Sequence, residues 1–151
     1  MNRKIQISKL MYTETGHRLT DYSGKCNTIH GHGFKWEVTV TAPELNNIGF
    51  IMDYADLKMA MQETVDQVDH AFLMHDQDPM VLEYGIEGTH VLLKDTAGNK
   101  PRLFILPFNP TSENIIEWMA IQLIMFLPKN VKLTHIRLWE TAGSYCDWST
   151  E

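Results

Sequence analysis

The sequence predicts an α+β domain. Three observations carry the prediction: strand patterns lie toward both ends of the chain, two amphipathic helical stripes lie between them, and no repeat, low-complexity tract or linker divides the 151 residues. A single domain spanning 1–151 accounts for that length, with enough apolar residues to bury a core.

The segment from Lys4 to Thr13 reads as a first strand. A turn-forming loop, Asp21-Tyr22-Ser23-Gly24, follows it. Phe34, Trp36, Val38 and Val40 then alternate with Lys35, Glu37, Thr39 and Thr41, the period-two pattern of a half-buried strand. Asp53 can cap a helix over about Tyr54 to Val68, whose Leu57, Met61, Val65 and Val68 form one apolar stripe suited to core packing. Thr89 to Asp95 and Arg102 to Phe108 flank the turn-like Thr96-Ala97-Gly98-Asn99, and the expectation there is a hairpin. A second long helix opens at Pro110-Thr111-Ser112-Glu113 with Thr111 as N-cap; it buries Ile116, Met119, Ala120, Leu123 and Leu127 and stops at Pro128. Val131 to Glu140 returns to a strand, with Ile136 and Leu138 on the face shared by Glu140.

Chemistry concentrates at Cys26-x-x-x-His30-Gly31-His32, where a thiol and two imidazoles gather. Residues two apart on an extended segment face the same way, so His30 and His32 present their rings side by side around a glycine. Such a pair has little to offer a packed core and suits a metal ion. Neutral imidazole fits zinc, and a catalytic zinc takes three protein ligands with a fourth position left open. His17, in Thr15-Gly16-His17-Arg18-Leu19 at the end of the first strand, is the candidate third ligand. His75, His90 and His135 are read as structural or surface residues. Cys26 lies in a polar loop beside Lys25, where positive charge favours the thiolate; the bland reading is a small buried hydrophobe.

Asp69-His70 follows the first helical stripe. The pair suits proton relay, and equally suits an exposed acid beside a histidine favoured by the helix dipole. Glu140 ends an apolar face and is either a rim residue or a carboxylate buried against a partner.

Composition excludes several classes. With 44% hydrophobic and 21% charged residues the chain is ordinary globular material, and a net charge of −6 argues against a sequence-independent grip on nucleic acid. The apolar runs are too short for a membrane span. Two distant cysteines, Cys26 and Cys146, and no opening apolar run point to a reducing, cytoplasmic setting.

Six motifs in order, Gly16-His17-Arg18-Leu19, Cys26-x-x-x-His30-Gly31-His32, Gly49-Phe-Ile-Met-Asp53-Tyr-Ala-Asp-Leu-Lys58, Val68-Asp69-His70, Pro110-Thr-Ser-Glu-Asn114 and Trp139-Glu140-Thr141, resemble the 6-pyruvoyltetrahydropterin synthase family from about Leu10 to Tyr145. The short spacing from the cysteine to His-Gly-His is similar to the 6-carboxytetrahydropterin synthase branch. The resemblance implies a T-fold, an antiparallel four-stranded sheet with a helix pair between its second and third strands. It further implies subunits joined edge to edge into a barrel, as a trimer that stacks into a hexamer. It maps zinc ligands onto His17, His30 and His32, proton transfer onto Cys26, Asp69 and His70, and the pterin anchor onto Glu140 with help from Thr111 and Ser112. The implied activity turns 7,8-dihydroneopterin triphosphate into 6-carboxy-5,6,7,8-tetrahydropterin with release of acetaldehyde and triphosphate, a step toward queuosine-type nucleosides. The alternatives are a pyruvoyltetrahydropterin synthase or related side-chain lyase, and a non-catalytic pterin or metal binder. The stretch from about 75 to 108 departs from short relatives and reads as an insertion near the pocket.

Overall fold

A computed structural model describes residues 4–150. Its centre is a long antiparallel hairpin. Strand β1, Ile7–His17, pairs with β2, His30–Thr41, from Ile7 opposite Val40 to His17 opposite His30. Alternation decides which face is buried: Thr13, Thr15 and His17 point inward from β1, as do Phe34, Trp36 and Val38 from β2. Phe34 and Trp36 are fully buried, each stabilising the fold by roughly 1.5–3 kcal/mol. The polar atoms carried inward are bonded. Trp36 Nε1 donates to Thr13 Oγ1 at 3.1 Å, and Thr15 Oγ1 donates to the Val68 carbonyl at 3.1 Å.

Helix α1, Tyr54–Val68, begins where the Asp53 carboxylate accepts the Ala55 N–H, and it buries Leu57, Met61, Val65 and Val68 as its stripe predicts. Strand β3, Ala71–His75, follows at once and runs parallel to the end of β1. Helix α2, Pro79–Leu92, is broken at Gly85, whose φ of 66° a helix cannot accommodate. Strand β4, Leu103–Leu106, lies parallel to β3. Helix α3, Ser112–Phe126, is capped by Thr111 Oγ1, which accepts the Asn114 N–H, and it buries Ile115, Ile116, Met119, Ala120 and Leu123. Strands β5, Lys132–Thr141, and β6, Ser144–Ser149, close the sheet as a second antiparallel pair. The core lies between the sheet and helices α1 and α3.

The α+β class holds, and two expectations are corrected. The sheet has six strands in the order β4-β3-β1-β2-β5-β6, and the chain carries three helices. The expected antiparallel four-strand core is present as β1-β2-β5-β6, with α1 and α3 between its second and third strands; parallel β3 and β4 extend it past β1. The hairpin expected over Thr89–Asp95 and Arg102–Phe108 does not form. Thr89 belongs to α2, and β4 takes its partner from β3, because a parallel pair needs a crossover that α2 supplies. The turn-like signal at 96–99 is real but joins a helix to a strand: Gly98 N–H donates to Asp95 O, and Asn99 N–H to Asp95 Oδ1. No helix among the described residues is long and apolar enough to cross a membrane.

Candidate metal centre and its surroundings

The end of the β1–β2 hairpin where the connecting loop joins the two strands gathers three imidazoles. His17 and His30 are directly opposed across the strands, and His32 follows His30 on the same face. Their ring centroids stand 4.5, 5.1 and 5.0 Å apart, and one ligand nitrogen from each lies within 4.8 Å of the others. Gly31 is what permits this closeness. It pairs with Gly16, and a Cβ there would come within 2.9 Å of the Thr15 carbonyl oxygen.

Tautomers follow from the hydrogen bonds. His17 Nδ1 is 2.8 Å from the Pro110 carbonyl and His30 Nδ1 is 2.7 Å from the Thr28 carbonyl. A carbonyl can only accept, so both Nδ1 atoms carry the proton and both Nε2 lone pairs are free. Nε2 of His17, His30 and His32 is buried in every case without a partner. Three orphaned basic nitrogens facing one another are costly unless a cation satisfies them, so this donor set fits a metal ion. Burial, with the neighbouring His30 and His32, holds the His17 pKa at about 4 although the Pro110 bond works the other way, which keeps its ring neutral near pH 7. Burial also lowers His32 against the pull of Glu140.

Glu140 Oε1 reaches 3.5 Å from His32 Nε2 and 3.7 Å from His17 Nε2, just outside the three-histidine group. A β-bulge aims it. Trp139 opposes Tyr145 and Thr141 opposes Ser144, so Glu140 has no partner of its own on β6. Cys146, on β6, is raised above the usual thiol range by burial, opposed by a Ser112 hydrogen bond and reinforced by Glu113, Asp147 and Glu140. Thr111 spends its hydroxyl oxygen on the α3 cap.

Asp69 and His70 form a pair, with His70 Nδ1 3.0 Å from Asp69 Oδ2. Asp69 Oδ1 accepts the Glu14 N–H at 2.9 Å, and His70 takes a left-handed φ of 52° that returns its own N–H to the Glu14 carbonyl. Burial pushes the Asp69 carboxyl up, but the Glu14 and His70 bonds outweigh it and leave the pKa below the usual value. His70 and His32 line one shallow cavity of about 310 Å³ with Thr15, Gly16 and Ala71. Cys26 sits half-buried in a single 3-10 turn, Lys25–Asn27, tied to the end of β1 by the Leu19 N–H to Cys26 carbonyl bond at 2.8 Å. Its sulfur is not part of the metal-ligand group. The carbonyls of Pro110 and Thr28 and the backbone of Glu14 had no signal in the sequence, because every residue offers the same backbone groups.

The chain as a whole resembles known proteins. The family model of 6-pyruvoyl tetrahydropterin synthase matches residues 6–151. The chain is 29% identical to a 6-carboxy-5,6,7,8-tetrahydropterin synthase of Aquifex aeolicus over 98% of this chain and 99% of that one. It is 28% identical to a protein of the same name from Haemophilus influenzae, over 95% and 98%. A crystal structure of an uncharacterized Wolinella succinogenes protein superposes with a TM-score of 0.80 at 21% identity, covering 99% of this chain and 100% of that one, a likeness of fold alone.

Proposed function

The chain belongs to the 6-pyruvoyl tetrahydropterin synthase family, and from that premise we propose that it is a lyase converting 7,8-dihydroneopterin triphosphate to 6-carboxy-5,6,7,8-tetrahydropterin, releasing acetaldehyde and triphosphate on the way to queuosine-type 7-deazaguanine nucleosides. The observation that carries the reading is the convergence of three unpartnered Nε2 atoms beside the Glu140 carboxylate. The carboxy branch is favoured by the short Cys26 to His30 spacing and by the names of the Aquifex and Haemophilus relatives.

His17, His30 and His32 would hold the ion, which on this reading is zinc. A zinc ion there supplies Lewis acidity toward the hydroxyl oxygens of the substrate side chain. Glu140 accepts the two N–H donors on the 2-amino-4-oxo edge of the pterin, with Thr111 and Ser112 beside the ring. Cys26 as thiolate removes a side-chain proton. His70, oriented by Asp69, returns protons as triphosphate leaves and the double bond migrates. A water then adds to the C1′ carbonyl and the C1′–C2′ bond breaks; C1′ stays on the ring as the carboxylate, and the bond's electron pair takes up a proton on the fragment that leaves as acetaldehyde. The ring ends reduced and the side chain oxidised, so the redox change is internal to the substrate. On this reading residues 1–151 form one domain working in the cytoplasm. Its sheet edges at β4 and β6 are the surfaces through which subunits would join into a trimer and then a hexamer.

Product analysis tests the proposal. Protein of known metal content is incubated with 7,8-dihydroneopterin triphosphate, and the products are identified by mass. Carboxypterin with acetaldehyde is the expected outcome. A pyruvoyl product assigns the chain to the pyruvoyltetrahydropterin synthases instead, and glycolaldehyde to a side-chain-cleaving lyase.

A further inference from the structure

Four consecutive residues leave the three-histidine centre, and three separate stretches of the chain hold them. His17 is fixed by the Pro110 carbonyl, and Leu19 by the Cys26 carbonyl. Thr20 donates from its N–H to Asn109 Oδ1 at 2.9 Å, and its carbonyl accepts from Asn109 Nδ2 at 2.7 Å. Arg18 makes a two-pronged ion pair with Asp78, Nε to Oδ2 at 2.6 Å and Nη2 to Oδ1 at 2.9 Å. Asp78 is 0% exposed, and its Oδ1 also accepts the Met80 N–H at the start of α2.

A carboxylate this buried carries a large desolvation cost, which only such bidentate geometry recovers. Fastening α2 does not explain it, because Thr89 is the only buried residue of that helix and an apolar contact would fasten it at lower cost. The position of Arg18 does explain it. It stands between a metal-ligand candidate and the residue that carries the Cys26 turn. We infer that Arg18 and Asp78 are positioning residues for the proposed reaction: their ion pair fixes the exit of β1 and, through the Leu19 to Cys26 bond, the turn that carries the Cys26 thiol. The stretch following β3 is on this view a clamp on the catalytic loop. The inference rests on the lyase reading. Metal binding does not depend on the clamp, since Pro110 and the pairing with His30 already set the His17 ring.

Asp78→Asn tests it, because asparagine keeps the shape and the helix cap while removing the charge. The variant should retain its metal per chain, lose about tenfold to a hundredfold in kcat, and keep KM for 7,8-dihydroneopterin triphosphate within about threefold. Carbamidomethylation of Cys26, read by peptide mass, should run roughly threefold faster or more as the turn loosens. Arg18→Lys, which keeps the charge and loses the fork, should fall between wild type and Asp78→Asn in kcat. Wild-type kcat and wild-type Cys26 reactivity in Asp78→Asn would overturn the inference, as would a change confined to KM. If the single variant does not fold, Arg18→Met combined with Asp78→Leu removes both charges. It should fold and hold metal with kcat still low and Cys26 still fast, and wild-type values of both would overturn the clamp. Should wild type show no turnover of this substrate, the lyase reading fails, while the Cys26 labelling rate in Asp78→Asn still decides the clamp.

Discussion

The end of the β1–β2 hairpin and the stretch of α2 and β4 lie on either side of β3, and they are built in opposite ways. In the hairpin, backbone ladder, buried side chains and chemistry coincide: His17, Thr15 and Phe34 are buried, and the three imidazoles share one face. In α2 the apolar residues Leu82, Tyr84, Ile86, Val91 and Leu92 face outward, and a single buried threonine, bonded to the Met80 and Gly85 carbonyls, staples the two halves of the broken helix. The contrast teaches where substitution should matter. A site held by a ladder and a packed core cannot yield at one residue without losing its geometry, whereas a helix fastened at few points can change across most of its surface.

The largest effect should come from the hairpin's chemistry. His32→Ala removes one of three converging nitrogens and should lower turnover of the pterin substrate by roughly a thousandfold or more, as metal activation worth several kcal/mol is lost; steady-state kinetics would show it.

Acid should come next. Unfolded His17 takes up a proton at its ordinary value near 6.5, while the folded ring resists until about 4. The stability this contributes is present above about pH 6.5 and is lost as pH falls toward 4, a few kcal/mol at most. Urea unfolding of metal-free protein at pH 7 and pH 5 should show the loss, and His17→Asn should reduce it.

Gly31→Ala should cost about 1–3 kcal/mol, because the new methyl meets backbone at the Thr15 carbonyl and not a side chain that can swing away. Thermal unfolding measures it. At the small end, Leu82→Ser on α2, where the leucine is 64% exposed, should shift stability by no more than about 0.5 kcal/mol. An equal penalty at Leu82 and Gly31 would erase the contrast between the regions.

The same contrast governs what the sequence reveals. The alternation from Phe34 to Thr41, the stripe through Leu57 and Val68, and the caps at Asp53 and Thr111 each express a local rule that the fold keeps, so both long helices and the central strands were legible. Strand β3, Ala71-Phe-Leu-Met-His75, was not, since five residues without alternation carry no period. Helix α2 is hidden in the sequence by Gly85 and Gly88 and by the lack of a buried stripe, and the local pattern of its C-terminal residues is that of a strand. The edge strand β6 carries no clear pattern of its own in six residues, and only the family resemblance implied a fourth antiparallel strand there. At the site, the histidine spacing was readable because a strand's period fixes it. The aim of Glu140 was not, because it depends on a bulge set by how β5 and β6 count their residues against each other.

Calorimetric titration of zinc into metal-free protein tests the central claim most directly. One tightly held zinc per chain is predicted for the wild type, with that binding lost in His17→Ala, His30→Ala and His32→Ala alike. Absence of zinc binding by the wild type, or undiminished binding in any of the three variants, would contradict a metal centre built from these rings.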